Sequence, residues 1–152
     1  MPLAAGDSAP DFTLTADDGE TVTLGGLRGS RVVIYFYPKD DTPGCTKQAC
    51  ALRDDWGSFE NLNTKVFGIS PDSVESHQKF REKFSLPFQL LADTDHSVAD
   101  AYEVWGEKKN YGKTYMGINR SAFVIDEDGK IAQALYDVAP LDTAPKALAA
   151  LA

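Results

Sequence analysis

The chain holds two cysteines, Cys45 and Cys50, five positions apart. Both lie in the stretch Pro38-Lys39-Asp40-Asp41-Thr42-Pro43-Gly44-Cys45-Thr46-Lys47-Gln48-Ala49-Cys50, directly after the apolar run Val32 to Tyr37. Thr42 has a side chain that can cap a helix, and Pro43 suits a first helical turn, where a missing N–H costs nothing. Cys45 then falls in that first turn. A helix start offers unpaired N–H groups and a partial positive charge of about half an elementary charge. Both favour a thiolate, which is the nucleophilic form of cysteine. The local pattern therefore places Cys45 where thiol chemistry is switched on.

These residues need a scaffold, and the sequence suggests one. Phe12-Thr13-Leu14-Thr15 and Thr21-Val22-Thr23-Leu24 flank the turn signal Asp17-Asp18-Gly19 and predict an N-terminal hairpin. Val32 to Tyr37 is apolar throughout, as a strand buried on both faces requires. Cys45, Ala49, Leu52, Trp56 and Phe59 recur at steps of three and four and predict a helix over 43–59, with Gly57 as its weak point. A strand over 65–70 follows. Asp72 with Glu75 has the spacing of a capping box and predicts a helix over 73–84, with Val74, His77, Phe80 and Phe84 inward. Phe88 to Leu91 is a short strand candidate and Ser97 to Tyr102 a short helix. Trp105 to Asn119, charged and without clear period, is expected to be a long loop of the kind that often carries function. Its cluster Glu107-Lys108-Lys109 is expected to be solvated. Ser121–Ile125 and Lys130–Tyr136 form a hairpin around Asp128-Gly129, and Thr143–Leu151 closes the chain as a helix.

The order is α/β, with a parallel start and an antiparallel end. It matches a thioredoxin fold that carries an N-terminal β-hairpin and an inserted strand–helix segment around 88–102. At 152 residues a single domain over 1–152 is expected. A net charge of −8 argues against nucleic acid as a partner and suits a solvated surface. No apolar run approaches the ~20 residues that span a bilayer, so no membrane association is expected. Met1 to Ala9 lacks the basic and apolar regions of a signal peptide. A cytoplasmic protein is expected, with cysteines that are free, reactive or transiently bonded.

The segment Y-F-Y-P-K-D-D-T-P-G-C-T-K-Q-A-C-A-L-R-D resembles the active-site signature of peroxiredoxins, P-x-x-x-T-x-x-C. Cys50, five residues after Cys45, is similar to the pattern of the bacterioferritin comigratory protein subfamily, also called peroxiredoxin Q. W-G-E-K at Trp105, G-K-T-Y-M-G-I-N-R ending at Arg120, and S-A-F-V-I-D-E-D-G-K-I from Ser121 agree with the same subfamily. The resemblance runs along nearly the whole chain.

It implies a peroxidase that reduces hydrogen peroxide or organic hydroperoxides and is recycled by a thioredoxin-like reductant; no cofactor is expected. A monomer is expected. Cys45 would be the peroxidatic cysteine. Cys50 would be the resolving cysteine, condensing with the Cys45 sulfenic acid to a disulfide. Arg120 would set a permanent positive charge beside the sulfur and the departing oxygen, and backbone N–H groups of Gly44 and Cys45 could add donors. Thr42 would hydrogen-bond the peroxide or the thiolate, or else serve as a plain helix cap. The two roles compete for one hydroxyl. Pro38 would pack over the thiolate and also end its strand.

Other functions fit less well. A disulfide oxidoreductase of this fold normally carries C-x-x-C, and Gln48 fills the second cysteine's place. A redox-sensing or partner-binding module would use the cysteines only to report oxidation. His77 and His96 with the two cysteines offer four zinc ligands, but their spacing is unlike that of structural zinc sites, and no metal is expected. No glycine-rich loop of nucleotide-binding spacing is present.

Overall fold

A computed structural model describes residues 2–151; Met1 and Ala152, the ends of the expected domain, lie outside the described residues. The expected N-terminal hairpin is β1 (Thr13–Ala16) and β2 (Thr21–Thr23), with Leu14 opposite Val22. A 3-10 turn over Leu24–Leu27 leads to β3 (Arg31–Phe36). Then come α1 (Pro43–Asp54), α2 (Trp56–Asn61), β4 (Thr64–Ser70), α3 (Val74–Phe84), β5 (Gln89–Ala92) and α4 (Ser97–Ala101). The chain continues through β6 (Trp105–Asn110), β7 (Lys113–Ile118), β8 (Ser121–Ile125) and β9 (Ile131–Leu135), and ends with α5 (Thr143–Leu151).

Seven strands form one sheet in the order β2-β1-β5-β4-β3-β8-β9. β3, β4 and β5 run parallel, and β8 and β9 continue antiparallel. This is the expected thioredoxin-like α/β architecture. The inserted segment, β5 with α4, is integral to it: β5 joins the N-terminal hairpin to the parallel strands through its pairing with β1.

Strand β3 is buried because side chains alternate across a sheet and both of its faces are covered. Val32, Ile34 and Phe36 enter a cluster with Phe12, Leu91, Tyr102 and Phe123 on one face. Val33, Tyr35 and Tyr37 enter the other with Ala49, Leu52, Phe80 and Ala147, drawn from α1, α3 and α5. Leu52 and Phe59 are fully buried, each worth roughly 2–3 kcal/mol of transfer free energy. Cys45 belongs to this second cluster.

Three expectations need correction. The helix predicted over 43–59 is two helices, broken at Asp55, although Cys45, Ala49, Leu52 and Phe59 are buried as the period required. Asp72 is not the cap of α3. Ser73 is, accepting from the Ser76 amide, while Asp72 accepts from the Ser70 hydroxyl and the Asp40 amide. Of the four residues expected to face inward on α3, His77 and Phe80 are buried and Val74 and Phe84 are half-buried. Finally, 105–119 is no loop: β6 and β7 form a two-stranded hairpin turning at Tyr111 and Gly112, both at positive φ. Its outer part is exposed on both faces, so no apolar alternation marks it.

Candidate active site

The register of the sheet builds the site. Phe36 at the end of β3 pairs with Ser121 at the start of the antiparallel strand β8. The segment after β3, which carries Pro38 to Cys45, and the residue before β8, Arg120, are thereby brought to the same end of the sheet. Two backbone bonds hold this segment: Asn119 N–H to Val104 O at 2.7 Å, and Val138 N–H to Arg120 O at 2.9 Å.

Pro43 occupies the first helical position of α1, and the first helical bond runs from Thr46 N–H to Thr42 O at 2.8 Å. The N–H groups of Gly44 and Cys45 stand ahead of that ladder, where a helix has donors to spare. Cys45 is 1% exposed and is a free thiol. Nη1 and Nη2 of Arg120 each lie 3.5 Å from its Sγ. The guanidinium thus presents its fork of donors to one sulfur, an arrangement lysine cannot reproduce. Gly44 makes the approach possible: a β-carbon there would lie 3.1 Å from Arg120 Nη2.

Arg120 has a second partner. Nη1 donates to Gln48 Oε1 at 2.6 Å, and Gln48 Nε2 donates to Thr143 Oγ1 at 2.8 Å. Gln48 is completely buried. Lys108 lies nearby on β6 and donates from Nζ to Ile118 O at 2.8 Å, its stem lying across Gly117. Desolvation and then the Arg120 charge hold it below the ordinary lysine range, while Cys45 opposes the shift. Lys108 is therefore not the solvated charge expected from the sequence.

The other predicted residues sit around this pair. Thr42 stands at the cap position, but its hydroxyl makes no capping bond; it donates to Lys39 O at 2.8 Å. Pro38 is half-buried just past β3. Cys50 is half-buried and free on the same helix as Cys45. Five helical residues separate their Cα atoms by ~8.6 Å and rotate them by ~140°. A disulfide needs Cα atoms within ~7 Å, so α1 as folded keeps the two thiols apart.

Beneath the Pro38–Thr42 turn lies a polar network. Asp40, buried at 7% exposure, accepts from the Tyr37 hydroxyl on Oδ1 and from the Ser76 hydroxyl on Oδ2 at 2.8 Å. His77 Nδ1 lies 2.7 Å from the same Oδ2, and its Nε2 donates to Leu91 O at 3.0 Å. The Asp40 amide is anchored on Asp72. Asp41, next in the chain, takes a left-handed φ of 57°. Asp40, Asp72 and His77 are the one group among the described residues whose ligand-type atoms gather closely, within 4.8 Å. Asp40 and His77 pair with each other, while Asp72 accepts from the Ser70 hydroxyl and the Asp40 amide, as in a hydrogen-bonded anchor. His96 is elsewhere, stacked on Trp105 and paired with Asp100. The zinc alternative built on both histidines therefore has no common site. Tyr35 packs in the same cluster as Cys45, and its hydroxyl has no partner among the described residues. Burial first, then the charges of Cys45 and Asp40, push its pKa well above the ordinary tyrosine value.

Comparison with known proteins assigns the chain to a family. The model of the AhpC/TSA family matches residues 5–134. The chain belongs to that family. It is 49% identical to peroxiredoxin Bcp of Bacillus subtilis over 151 residues, covering 99% of this chain and 96% of that protein. It is 52% identical to peroxiredoxin Bcp of Escherichia coli K12 over 136 residues, covering 90% and 87%. Among solved structures, the Xanthomonas campestris bacterioferritin comigratory protein, described for its alkyl peroxide reduction activity, superposes with a TM-score of 0.90 at 37% identity, over 97% of this chain and 96% of that one.

The chain is thus a peroxiredoxin, an oxidoreductase of the peroxidase class. Four features around this peroxiredoxin's candidate site escaped the sequence: Gln48, Thr143, Lys108 and the Asp40–His77 pair. Gln48 had a signal, since it lies three residues after Cys45 and so shares its helix face. The others meet the site through contacts between residues distant in the chain.

Proposed function

We propose that the enzyme reduces hydrogen peroxide or organic hydroperoxides through a Cys45 sulfenic acid. The Cys45 thiolate attacks one peroxide oxygen. An S–O bond forms, the O–O bond breaks, and the second oxygen leaves, taking up a proton, as water or alcohol. The observation that carries this reading is the Arg120 fork on the Cys45 sulfur. Negative charge grows on the departing oxygen beside that sulfur, and a fixed cation lowers the barrier to its growth. Thr42 spends its proton on Lys39 O, so its oxygen keeps lone pairs that can accept the peroxide O–H. Pro38 shields the thiolate from water.

The second step uses Cys50, the one other cysteine in the chain. Its thiol condenses with the sulfenic acid, releasing water and forming the Cys45–Cys50 disulfide. The distance across α1 requires its first turns to unwind for this step. Local opening of this kind costs less than global unfolding. A thioredoxin-like dithiol then reduces the exposed disulfide, in the cytoplasm, with the enzyme a monomer. No helix among the described residues is long and apolar enough to cross a membrane.

Mass spectrometry of peroxide-treated protein, with hydrogen exchange on the same sample, tests this reading. The expected result is one intramolecular Cys45–Cys50 bond and faster amide exchange over 44–52 in the oxidised form. A protected α1 with Cys50 still a free thiol would replace it with a one-cysteine mechanism.

A further inference from the structure

Gln48 stands between Arg120 and the C-terminal helix, and its orientation is fixed. A guanidinium only donates, so Oε1 must face Arg120 and the amide N–H must face Thr143. Thr143, fully buried at the start of α5, accepts that N–H on Oγ1 and passes its own proton to Ala139 O at 3.1 Å. Each bond in this series from Arg120 to Ala139 therefore has a defined donor and a defined acceptor. The helix behind it is firmly seated: Ala144, Ala147 and Leu151 are buried in the same cluster as Cys45 and Leu52.

Gln48 lies between Cys45 and Cys50 on α1. Any unwinding that brings the two sulfurs together therefore carries Gln48 away from both Thr143 and Arg120. α5 is packed on β8 and β9 as well as on α1, so it has a seat on the sheet that does not depend on the first turns of α1. The bond from Gln48 to Thr143 thus ties the part of the enzyme that must move to a part that does not.

We propose that Thr143 is a positioning residue that acts through Gln48 as the latch on the first turns of α1. This rests on the disulfide reading given under Proposed function. Closed, the latch holds Gln48 against Arg120 and keeps the fork on the sulfur, which favours the attack on peroxide. Open, it lets Cys45–SOH meet Cys50–SH, giving the disulfide and one water. A competing fate exists while it is closed. The Cys45 sulfenate can attack a second peroxide, break its O–O bond and become a sulfinic acid, releasing water or alcohol. The strength of the latch sets the division between these two fates.

Thr143→Val keeps the shape of the side chain and removes the hydroxyl. Thr143→Ala is run beside it so that a poor fit of valine cannot mimic the effect, and Thr143→Ser restores the hydroxyl. Full-length reduced protein is mixed with hydrogen peroxide, quenched at intervals and read by mass spectrometry. In the valine and alanine variants sulfenic acid should form more slowly. Disulfide should then form about ten-fold faster, as expected for one lost buried hydrogen bond. The sulfinic fraction at high peroxide should fall. Amides over 44–52 of the reduced variants should exchange faster, with those of β3 and β4 unchanged, and Thr143→Ser should restore wild-type behaviour. If wild type forms the Cys45–Cys50 bond and neither variant forms it faster, the latch alone is overturned. If exchange rises across the sheet as well, Thr143 is a structural residue and the latch is overturned. If wild type forms no such bond, the disulfide reading falls and the latch with it.

Discussion

Arg120 meets the sulfur of Cys45 with both terminal guanidinium nitrogens at 3.5 Å, across 75 positions of sequence. Sheet register sets this distance, because the end of β3 and the start of β8 are paired. Arg120→Ala should slow oxidation of Cys45 by peroxide about a hundred-fold, the usual loss for one transition-state donor. Arg120→Lys should recover only part, since one ammonium cannot serve sulfur, Gln48 and departing oxygen together. Stopped-flow measurement with hydrogen peroxide reads the rate, and iodoacetamide labelling of Cys45 should slow in parallel. Unchanged rates in both assays would remove Arg120 from the reaction.

The same geometry makes Gly44 sensitive. A β-carbon at that position would sit 3.1 Å from Nη2 of Arg120 and 3.7 Å from Cγ of Pro140. The guanidinium must then shift by a few tenths of an ångström. Gly44→Ala should therefore slow peroxide reduction by about 10- to 100-fold, as small misplacements of a reacting group do. Thermal unfolding should change little. Wild-type turnover in this variant would show that the fork tolerates displacement.

His77 offers a prediction about stability. It is fully buried between Asp40 and the Leu91 carbonyl. His77→Phe leaves the Asp40 carboxylate without its ring partner, and a buried acceptor that loses its partner costs about 1–3 kcal/mol. Urea unfolding should show this loss. The Pro38–Thr42 turn should also loosen, since Asp40 anchors it. A change below about 0.5 kcal/mol, the range of surface substitutions, would contradict the anchor.

How much of this was legible in the sequence follows from where each signal lies. The helix start that carries Cys45 is local, written in Thr42, Pro43 and the apolar period of α1, and the strands and closing helix are local in the same sense. The Arg120 pairing became visible only because the segment around it resembles a family signature. The latch is not local: Gln48 and Thr143 are 95 positions apart, and neither residue type announces a partner. The Asp40–His77 bond spans 37 positions, and the polar hairpin of β6 and β7 lacks the one-sided burial that periodicity detects. Asp72 misled because its spacing to Glu75 suits a cap, while tertiary contacts with Ser70 and Asp40 claimed its carboxylate instead.

Alkaline pH probes the core. Burial is the first cause that raises Tyr35, Tyr37 and Tyr102 above the ordinary value of about 10, with nearby negative charge adding to it. The folded chain therefore keeps these protons where the unfolded chain loses them. Their contribution to stability is complete below pH ~10 and declines as pH rises above it. Absorbance titration near the tyrosinate band should find these three hydroxyls silent until the protein unfolds. Their ionisation in the still-folded protein would contradict the tight packing around them.

The most direct test of the account is peroxide consumption with thioredoxin, its reductase and NADPH, comparing wild type with Cys45→Ser. Wild type should turn over hydrogen peroxide, and the variant should show no turnover above background while keeping the circular dichroism and unfolding midpoint of the wild type. A folded Cys45→Ser protein that still consumes peroxide at the wild-type rate would contradict the assignment of the chemistry to Cys45.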